Sequence, residues 1–330
     1  MEARKIQMGR RFQAAALFAF ALSVCAVVAA QVRVDVRLVN VIVTVTDSHG
    51  RYIPNLTEND FIVEEDGKTQ HISHFSQDRN VPVSVGILLD TSGSMDRKIR
   101  TAVDAVDRFV QRIHQDDEFF FMTFSGRPVL RQDFTNDREK LSDSLRRIIP
   151  TGGTTLYDAM AEGVRKIADS SHAKRAILLI TDGQDTASVS RLDDVLERIR
   201  ISDLVIYPVG ISPLTYAKGS DRNAWGWPLP GLIRGKTGIQ NNKRDQVDMT
   251  VLRAFAENSG GRAFLLAETL IGRGGQIEKI LNVIAEELRS QYTLGYYPPR
   301  ADDGLYHSIR IRTHAGDAVR ARHGYLARSS

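Results

Sequence analysis

The sequence has almost no cysteine. Its single cysteine, Cys25, lies in an apolar stretch near the start of the chain. If that stretch is removed, as predicted below, the remaining chain has no thiol. Disulfide bonds and thiol catalysis are then excluded, so non-covalent interactions have to hold the fold together.

The sequence also has no large excess of charge of either sign. The formal net charge of the 330 residues at pH 7 is +4. Removing residues 1–30 takes away four basic side chains and one acidic side chain, which lowers this charge to +1. A nearly neutral chain offers no electrostatic basis for binding nucleic acid, and we expect none.

The start of the chain has the pattern of an export signal. An apolar run over residues 12–28 follows four basic residues and precedes two alanines. This order predicts a signal peptide over residues 1–30, cleavage before Gln31, and export to the periplasm, the cell surface or the medium. The alternatives are a retained anchor and a lipid on Cys25, although Val24 stands where a lipobox has a small residue. No other membrane contact is expected.

The segment after the signal has the pattern of β-strands. Valines occupy every second position from Val39 to Val45, which is typical of a half-buried strand. Asp66 and Gly67 stand between two short strand patterns and predict a hairpin. Residues 31–79 are therefore predicted to form a small β unit that is too short to be stable by itself.

The last forty residues return to strand character. Apolar residues alternate from Tyr292 to Tyr296, and a further hairpin is predicted around Gly316. Because this tail also has too few strands to stand alone, we expect residues 291–330 to pair with the N-terminal β unit.

The middle of the chain, residues 80–290, alternates strand patterns with amphipathic helix patterns. The run from Val83 to Leu89 is apolar at nearly every position, as expected for a strand of a parallel sheet that is covered on both faces. The alternation predicts an α/β fold, in which a doubly wound, mostly parallel sheet carries helices on both faces.

Three loops of this predicted domain carry oxygen-bearing side chains next to strand or helix ends. These side chains are Asp90, Ser92, Ser94, Thr154 and Asp182. Ligands of doubly wound sheets bind at the carboxyl ends of the strands, so we expect the loops to meet there. Carboxylate and hydroxyl oxygens suit Mg²⁺, Mn²⁺ or Ca²⁺ better than zinc. A turn followed by a helix N-cap at Ser94 is the simpler alternative for the first loop alone.

Together these segments resemble the metal-ion-dependent adhesion site of von Willebrand factor type A (VWFA) domains. The resemblance covers about residues 80–290, and the flanking Leu56-Thr57 and Gly324-Tyr325 are similar to the secreted bacterial (acidobacterial-type) VWFA-related family.

The resemblance implies a role for each residue of the site. Ser92 and Ser94 would bind one cation directly, and Thr154 would bind it directly or through water. Asp90 and Asp182 would act through bound water. The spacing of the family favours Thr154 over the adjacent Thr155.

An insert over residues 212–247 departs from the compact pattern of the family. It contains Trp225 and Trp227, the two tryptophans of the chain. Long loops with their own aromatic residues are usually functional or disordered. One hypothesis is that this insert shapes partner binding beside the cation, and a plain flexible insertion is the alternative.

These observations predict an exported protein-binding module, not an enzyme. The cation would bind an Asp or Glu carboxylate of a protein partner. A metal-dependent hydrolase with Asp90 as nucleophile is one alternative, although Ser92 stands where such enzymes prefer a second carboxylate. A structural envelope protein with a vestigial metal site is the other.

Overall fold

The computed structural model describes residues 38–77, 81–112, 114–146, 148–212, 247–267, 275–299 and 303–327. The predicted signal peptide, Trp225 and Trp227 lie outside these ranges. None of the helices within them is long and apolar enough to cross a membrane.

The described chain contains strands, α-helices and two short 3-10 helices. The strands are β1 Val39–Thr46, β2 Phe61–Glu65, β3 Lys68–Gln70, β4 His74–Ser76, β5 Val83–Asp90, β6 Glu118–Phe124, β7 Pro128–Thr135, β8 Lys174–Thr181, β9 Val205–Ser212, β10 Phe264–Ala267, β11 Tyr292–Tyr296, β12 Tyr306–Thr313, β13 Ala318–Arg320 and β14 Gly324–Leu326. The α-helices are α1 Ile99–Arg112, α2 Arg138–Leu145, α3 Leu156–Ile167, α4 Leu192–Ile201, α5 Met249–Ser259 and α6 Gln276–Ser290. The 3-10 helices are Glu58–Asp60 and Gly93–Met95.

The central sheet has six strands in the order β10-β9-β8-β5-β6-β7. All neighbouring pairs are parallel except β6 and β7, which are antiparallel at one edge. The prediction of a mostly parallel sheet is confirmed. The carboxyl ends of β5 and β8 lie side by side, which brings the loops that follow them together.

Helices cover both faces of this sheet, as predicted. Alternate residues of β5 point to opposite faces, so that Ile87 packs with α1, α2 and α6, whereas Leu88 packs with α3, α4 and α5. Every residue of β5 is buried. Helix α3 lies close to the sheet at Gly163, where an added Cβ would stand 2.7 Å from the side chain of Leu88.

A second group of strands, here called the β module, consists of β1–β4 and β11–β14. It forms two antiparallel four-stranded sheets in the orders β13-β1-β11-β4 and β14-β12-β2-β3. Each sheet combines strands from before and after the six-stranded sheet in the chain. Their apolar faces share a core that includes Val41, Val63, Leu294 and Ile311.

One of the two predicted hairpins forms as expected and the other does not. Asp66 and Gly67 have φ angles of 49° and 76° and connect β2 to β3, as a two-residue hairpin turn requires. The strand after Gly316, β13, pairs with β1 and not with β12. Both edges of β12 are already occupied, by β2 and by β14.

A buried polar cluster joins the β module to the central sheet. The carboxylate of Glu287 on α6 accepts a hydrogen bond of 2.7 Å from the hydroxyl of Tyr207 on β9. It also forms an ion pair of 2.6 Å with Arg320 on β13. The side chain of Glu287 is 1% exposed, so these partners take the place of water around its carboxylate.

Candidate metal centre

The candidate site begins at the last residue of β5, Asp90, which is fully buried. One carboxylate oxygen of Asp90 accepts a hydrogen bond of 2.8 Å from the amide of Ser92. The other accepts one of 2.6 Å from the hydroxyl of Thr181 at the end of β8. Asp90 therefore braces its own loop against the neighbouring strand.

Main-chain hydrogen bonds join the three loops to one another. The amide of Gly93 donates to the carbonyl of Gly152 over 3.1 Å, and the amide of Thr186 donates to the carbonyl of Thr154 over 2.9 Å. Gly152 has a φ of +79°, a conformation that a residue with a Cβ adopts only with strain. The loop at residues 151–155 is thus held between the other two.

The polar side chains of these loops converge at the sheet edge. The hydroxyl of Ser94 donates to Oδ1 of Asp182 over 2.7 Å, and the hydroxyls of Ser92 and Ser94 are 3.0 Å apart. Because the proton of Ser94 lies toward Asp182, Ser92 is the donor between the two serines. A Cβ built on Gly183 would stand 3.3 Å from the hydroxyl of Thr154. The residues predicted for the site therefore share one location.

The two simpler alternatives for these residues differ in outcome. Ser94 lies inside the 3-10 helix, whose N-cap is Ser92 without a side-chain capping bond, so the N-cap interpretation of Ser94 is wrong. The hydroxyl of Thr155 is buried and has no hydrogen-bond partner among the described residues. The hydroxyl of Thr154, by contrast, lies beside Gly183, the residue that follows Asp182 in the chain.

Lys98 belongs to this site but was not predicted from the sequence. Its side chain is 8% exposed, and its ammonium group contacts Oδ2 of Asp182. Lys98 looks like a surface residue because it follows Asp96 and Arg97. However, it stands three residues after the buried Met95, so the helical period already put it on the buried stripe.

The two carboxylates of the site, Asp90 and Asp182, have different electrostatic surroundings. Burial raises the pKa of Asp90 to about 6, although the hydrogen bonds from Thr181 and Ser92 favour its ionised form, and the charge of Asp182 adds to the rise. Asp182, by contrast, is in contact with the ammonium group of Lys98. The site therefore has two acidic side chains but only one built-in positive charge.

The donors present fit a hard divalent cation. All of them are oxygens, and Ser92, Ser94 and Thr154 are neutral hydroxyls that need no proton removed before they bind a cation. The hydroxyl of Ser92 has lone pairs that its bond to Ser94 leaves unused. Asp90 and Asp182 supply negative charge next to these hydroxyls.

A second polar cluster lies in the β module, at Glu65, Asp66 and His307. One oxygen or nitrogen of each lies within 4.8 Å of the others. Nδ1 of His307 is 2.8 Å from Asp66, and Nε2 is 3.0 Å from Asp303. Burial lowers the pKa of His307, but the hydrogen bonds to these two carboxylates outweigh it and raise that pKa. The contacts are those of a charged imidazolium, and no sequence pattern predicted them.

A comparison with known families matches the segment of the chain that carries the site. Residues 85–184 match the family model of the von Willebrand factor type A domain. This range contains Asp90, Ser92, Ser94, Thr154 and Asp182. Residues 85–184 of the chain are thus similar to a VWFA domain, whereas the narrower resemblance to the acidobacterial-type family stays a prediction.

Two curated relatives match part of the chain. The uncharacterized protein sll0103 of Synechocystis is 26% identical over 112 residues, 33% of this chain and 27% of its own length. Inter-alpha-trypsin inhibitor heavy chain H3 of Bos taurus is 27% identical over 172 residues, 44% of this chain and 19% of its own. The chain thus spans less than a third of either relative.

Several solved structures are similar at low identity. They include BatB from Bacteroides thetaiotaomicron, with a TM-score of 0.45, 17% identity, and coverage of 62% of this chain and 97% of that chain. A von Willebrand factor type A protein from Catenulispora acidiphila has a TM-score of 0.46, 13% identity, and coverage of 88% and 73%. Proximal thread matrix protein 1 from the mussel byssus, with a zinc-occupied MIDAS motif, has a TM-score of 0.47, 14% identity, and coverage of 67% and 48%.

Proposed function

We propose that this protein is a metal-dependent binding module that recognises a carboxylate on a protein partner. The observation that carries the proposal is the convergence of the hydroxyls of Ser92 and Ser94 with Asp182 and the Thr154 loop at one sheet edge. Ser92, Ser94 and Thr154 would hold the cation, Mg²⁺ or else Mn²⁺ or Ca²⁺. Asp90 and Asp182 would hold its water ligands.

The cation would supply the positive charge that an Asp or Glu side chain of the partner binds. The chain would hold the cation at the surface without neutralising its positive charge. Neutral hydroxyls do this better than carboxylate ligands, because they leave the charge of the ion in place. Binding would then depend on the cation and weaken when a chelator removes it.

A hydrolase is the less supported alternative. A nucleophilic aspartate has to reach its substrate, but Asp90 is fully buried and both of its oxygens already accept hydrogen bonds. The other alternative is a structural protein with a vestigial metal site, and the experiments below distinguish it from the proposed binding module. We therefore propose a non-enzymatic role.

Location and partner choice belong to the same proposal. Export to the periplasm, cell surface or medium rests on the signal pattern of residues 1–30. The insert that carries Trp225 and Trp227 follows β9 in the sequence. Because β9 is parallel to β8, its carboxyl end lies at the same edge of the sheet as the end of β8 that precedes Asp182. Deleting residues 216–246 should weaken partner binding, and unchanged binding would remove the insert from the proposal.

The first experiment measures unfolding of the purified protein with magnesium and with chelator. At 100 times its dissociation constant, a ligand adds about 2.7 kcal/mol of stability, which corresponds to a rise in Tm of about 5 °C for a chain of this size. Ser92→Ala should abolish the rise.

The matched control is Ser84→Ala, near the start of β5, the strand that ends two residues before Ser92. Ser84 is equally buried and bonds Glu118 over 2.6 Å, so its loss should lower Tm but keep the response to magnesium. Equal responses of wild type and Ser92→Ala would contradict the metal centre.

The second experiment tests the carboxylate. The protein is applied to an array of peptides that carry Asp or Glu, matched to the same peptides with Asn or Gln. We expect capture by acidic peptides in magnesium, none in chelator, and none by Ser92→Ala. Capture that does not depend on magnesium would contradict a metal-mediated contact, and no capture in either condition would support the structural alternative.

A further inference from the structure

A buried lysine lies inside the candidate metal centre, and we propose that it sets the affinity for the cation. Lys98 contacts one oxygen of Asp182, while Ser94 contacts the other. In this arrangement Lys98 is an internal counter-ion that competes with the divalent cation. This inference rests on the proposed function and adds to it a residue that determines how strongly the ion is held.

The contact between Lys98 and Asp182 is not a surface ion pair. The two side chains are 8% and 0% exposed. An ammonium group removed from water needs a charged partner, and Asp182 is the partner that the structure gives it. Without Lys98, the metal-free site would bury Asp90 and Asp182 with no cation between the three loops.

A divalent ion at the hydroxyls would share Asp182 with the ammonium group of Lys98. Two positive charges on one carboxylate repel each other, and the repulsion is weakly screened because water is excluded from buried groups. Binding the ion therefore costs free energy that a neutral side chain at position 98 would not cost. The lysine lowers the affinity.

The same charge has a second effect after the ion binds. With both carboxylates ionised, two negative charges, one ammonium group and one divalent ion leave a formal charge of +1. With a neutral residue at position 98 the formal charge would be zero. Lys98 thus keeps the loaded site attractive to an anionic partner while making the ion easier to remove.

The test compares the full-length protein with Lys98→Met and Lys98→Gln, by calorimetric titration with MgCl₂ and, separately, MnCl₂. We expect either variant to bind the ion about tenfold more tightly, since tenfold corresponds to only 1.4 kcal/mol and a charge pair at short range exceeds that. Lys98→Gln keeps a hydrogen-bond donor toward Asp182 and is the variant that disturbs folding less.

Thermal unfolding provides a second measurement that does not depend on calorimetry. Both variants should unfold at lower temperature than wild type in chelator, because Asp182 has lost its counter-ion. The deficit should shrink at saturating magnesium, because the ion replaces the lysine. A lysine with a purely structural role would leave the same deficit in both conditions.

Lys174→Met is the matched control. Lys174 is equally buried and begins the strand that ends just before Asp182, and its ammonium group donates to the carbonyl of Leu288. Its loss should lower stability and leave the affinity for the ion unchanged.

The outcomes separate the two proposals. Unchanged or weaker ion binding by both Lys98 variants, with binding by wild type intact, overturns the counter-ion role and leaves the proposed function standing. Binding by the variants but not by wild type supports the counter-ion role in its strongest form. No binding by any of these proteins refutes the metal centre and this inference together.

Discussion

The buried ion pair between α6 and the β module allows a quantitative prediction about stability. Glu287→Gln keeps the size of the side chain and an oxygen for the hydroxyl of Tyr207, but it removes the charge opposite Arg320. Breaking a fully buried ion pair costs about 3–5 kcal/mol. Arg320 keeps 30% of its side chain exposed and gains back some hydration, so we expect a loss of about 2–3 kcal/mol.

The assay is guanidinium unfolding, with a second acidic residue of the same helix as control. Glu278 pairs with Arg108 and Arg112, whose side chains are 58% and 53% exposed. Such pairs contribute at most about 1 kcal/mol, so Glu278→Gln should cost far less. Removing Arg320 in the Glu287→Gln background should cost less than removing it from wild type. Equal losses from the two glutamine variants, or additive losses in the double mutant, would refute the reasoning.

Two further predictions concern a pH response and a backbone contact. Because the pKa of His307 is raised in the folded state from its ordinary 6.5, its contribution to stability is complete below that value and is lost as pH rises through the folded pKa. The difference in urea midpoint between wild type and His307→Gln should thus shrink as the pH rises above 6.5, and a constant difference would contradict this. A Cβ at Gly261 would stand 1.9 Å from the carbonyl oxygen of Ile206, so Gly261→Ala should cost about 3 kcal/mol in guanidinium unfolding. Gly126→Ala, with open space around it, should cost almost nothing.

Local patterns were sufficient to predict the central sheet. The apolar run of β5 and the periodic helices specify which segments are strands and which face each helix buries, because those properties repeat within a few residues. The pairing of β13 could not be predicted in this way. A strand of three residues has no pattern of its own, and its partner depends on which edge of the β module is still open.

The residues of the candidate site also fall into those that local patterns predicted and one that they did not. Ser92, Ser94 and Asp182 were predicted because they directly follow strands whose carboxyl ends meet at one edge. Lys98 was missed because its charge suggested a solvated position. Only the tertiary structure, which buries the neighbouring carboxylate of Asp182, makes a lysine there favourable.

The placement of β1 has a consequence for the order of folding. Its neighbours in the sheet are β11 and β13, which begin about 250 residues further along the chain. At ordinary rates of synthesis they emerge on the order of 10–50 s after β1. All strands of the six-stranded sheet are synthesised before β11 begins, so the β module is the last part whose strands can all pair. Until it closes, the valine-rich β1 has open edges to which other nascent chains, or a chaperone, could bind.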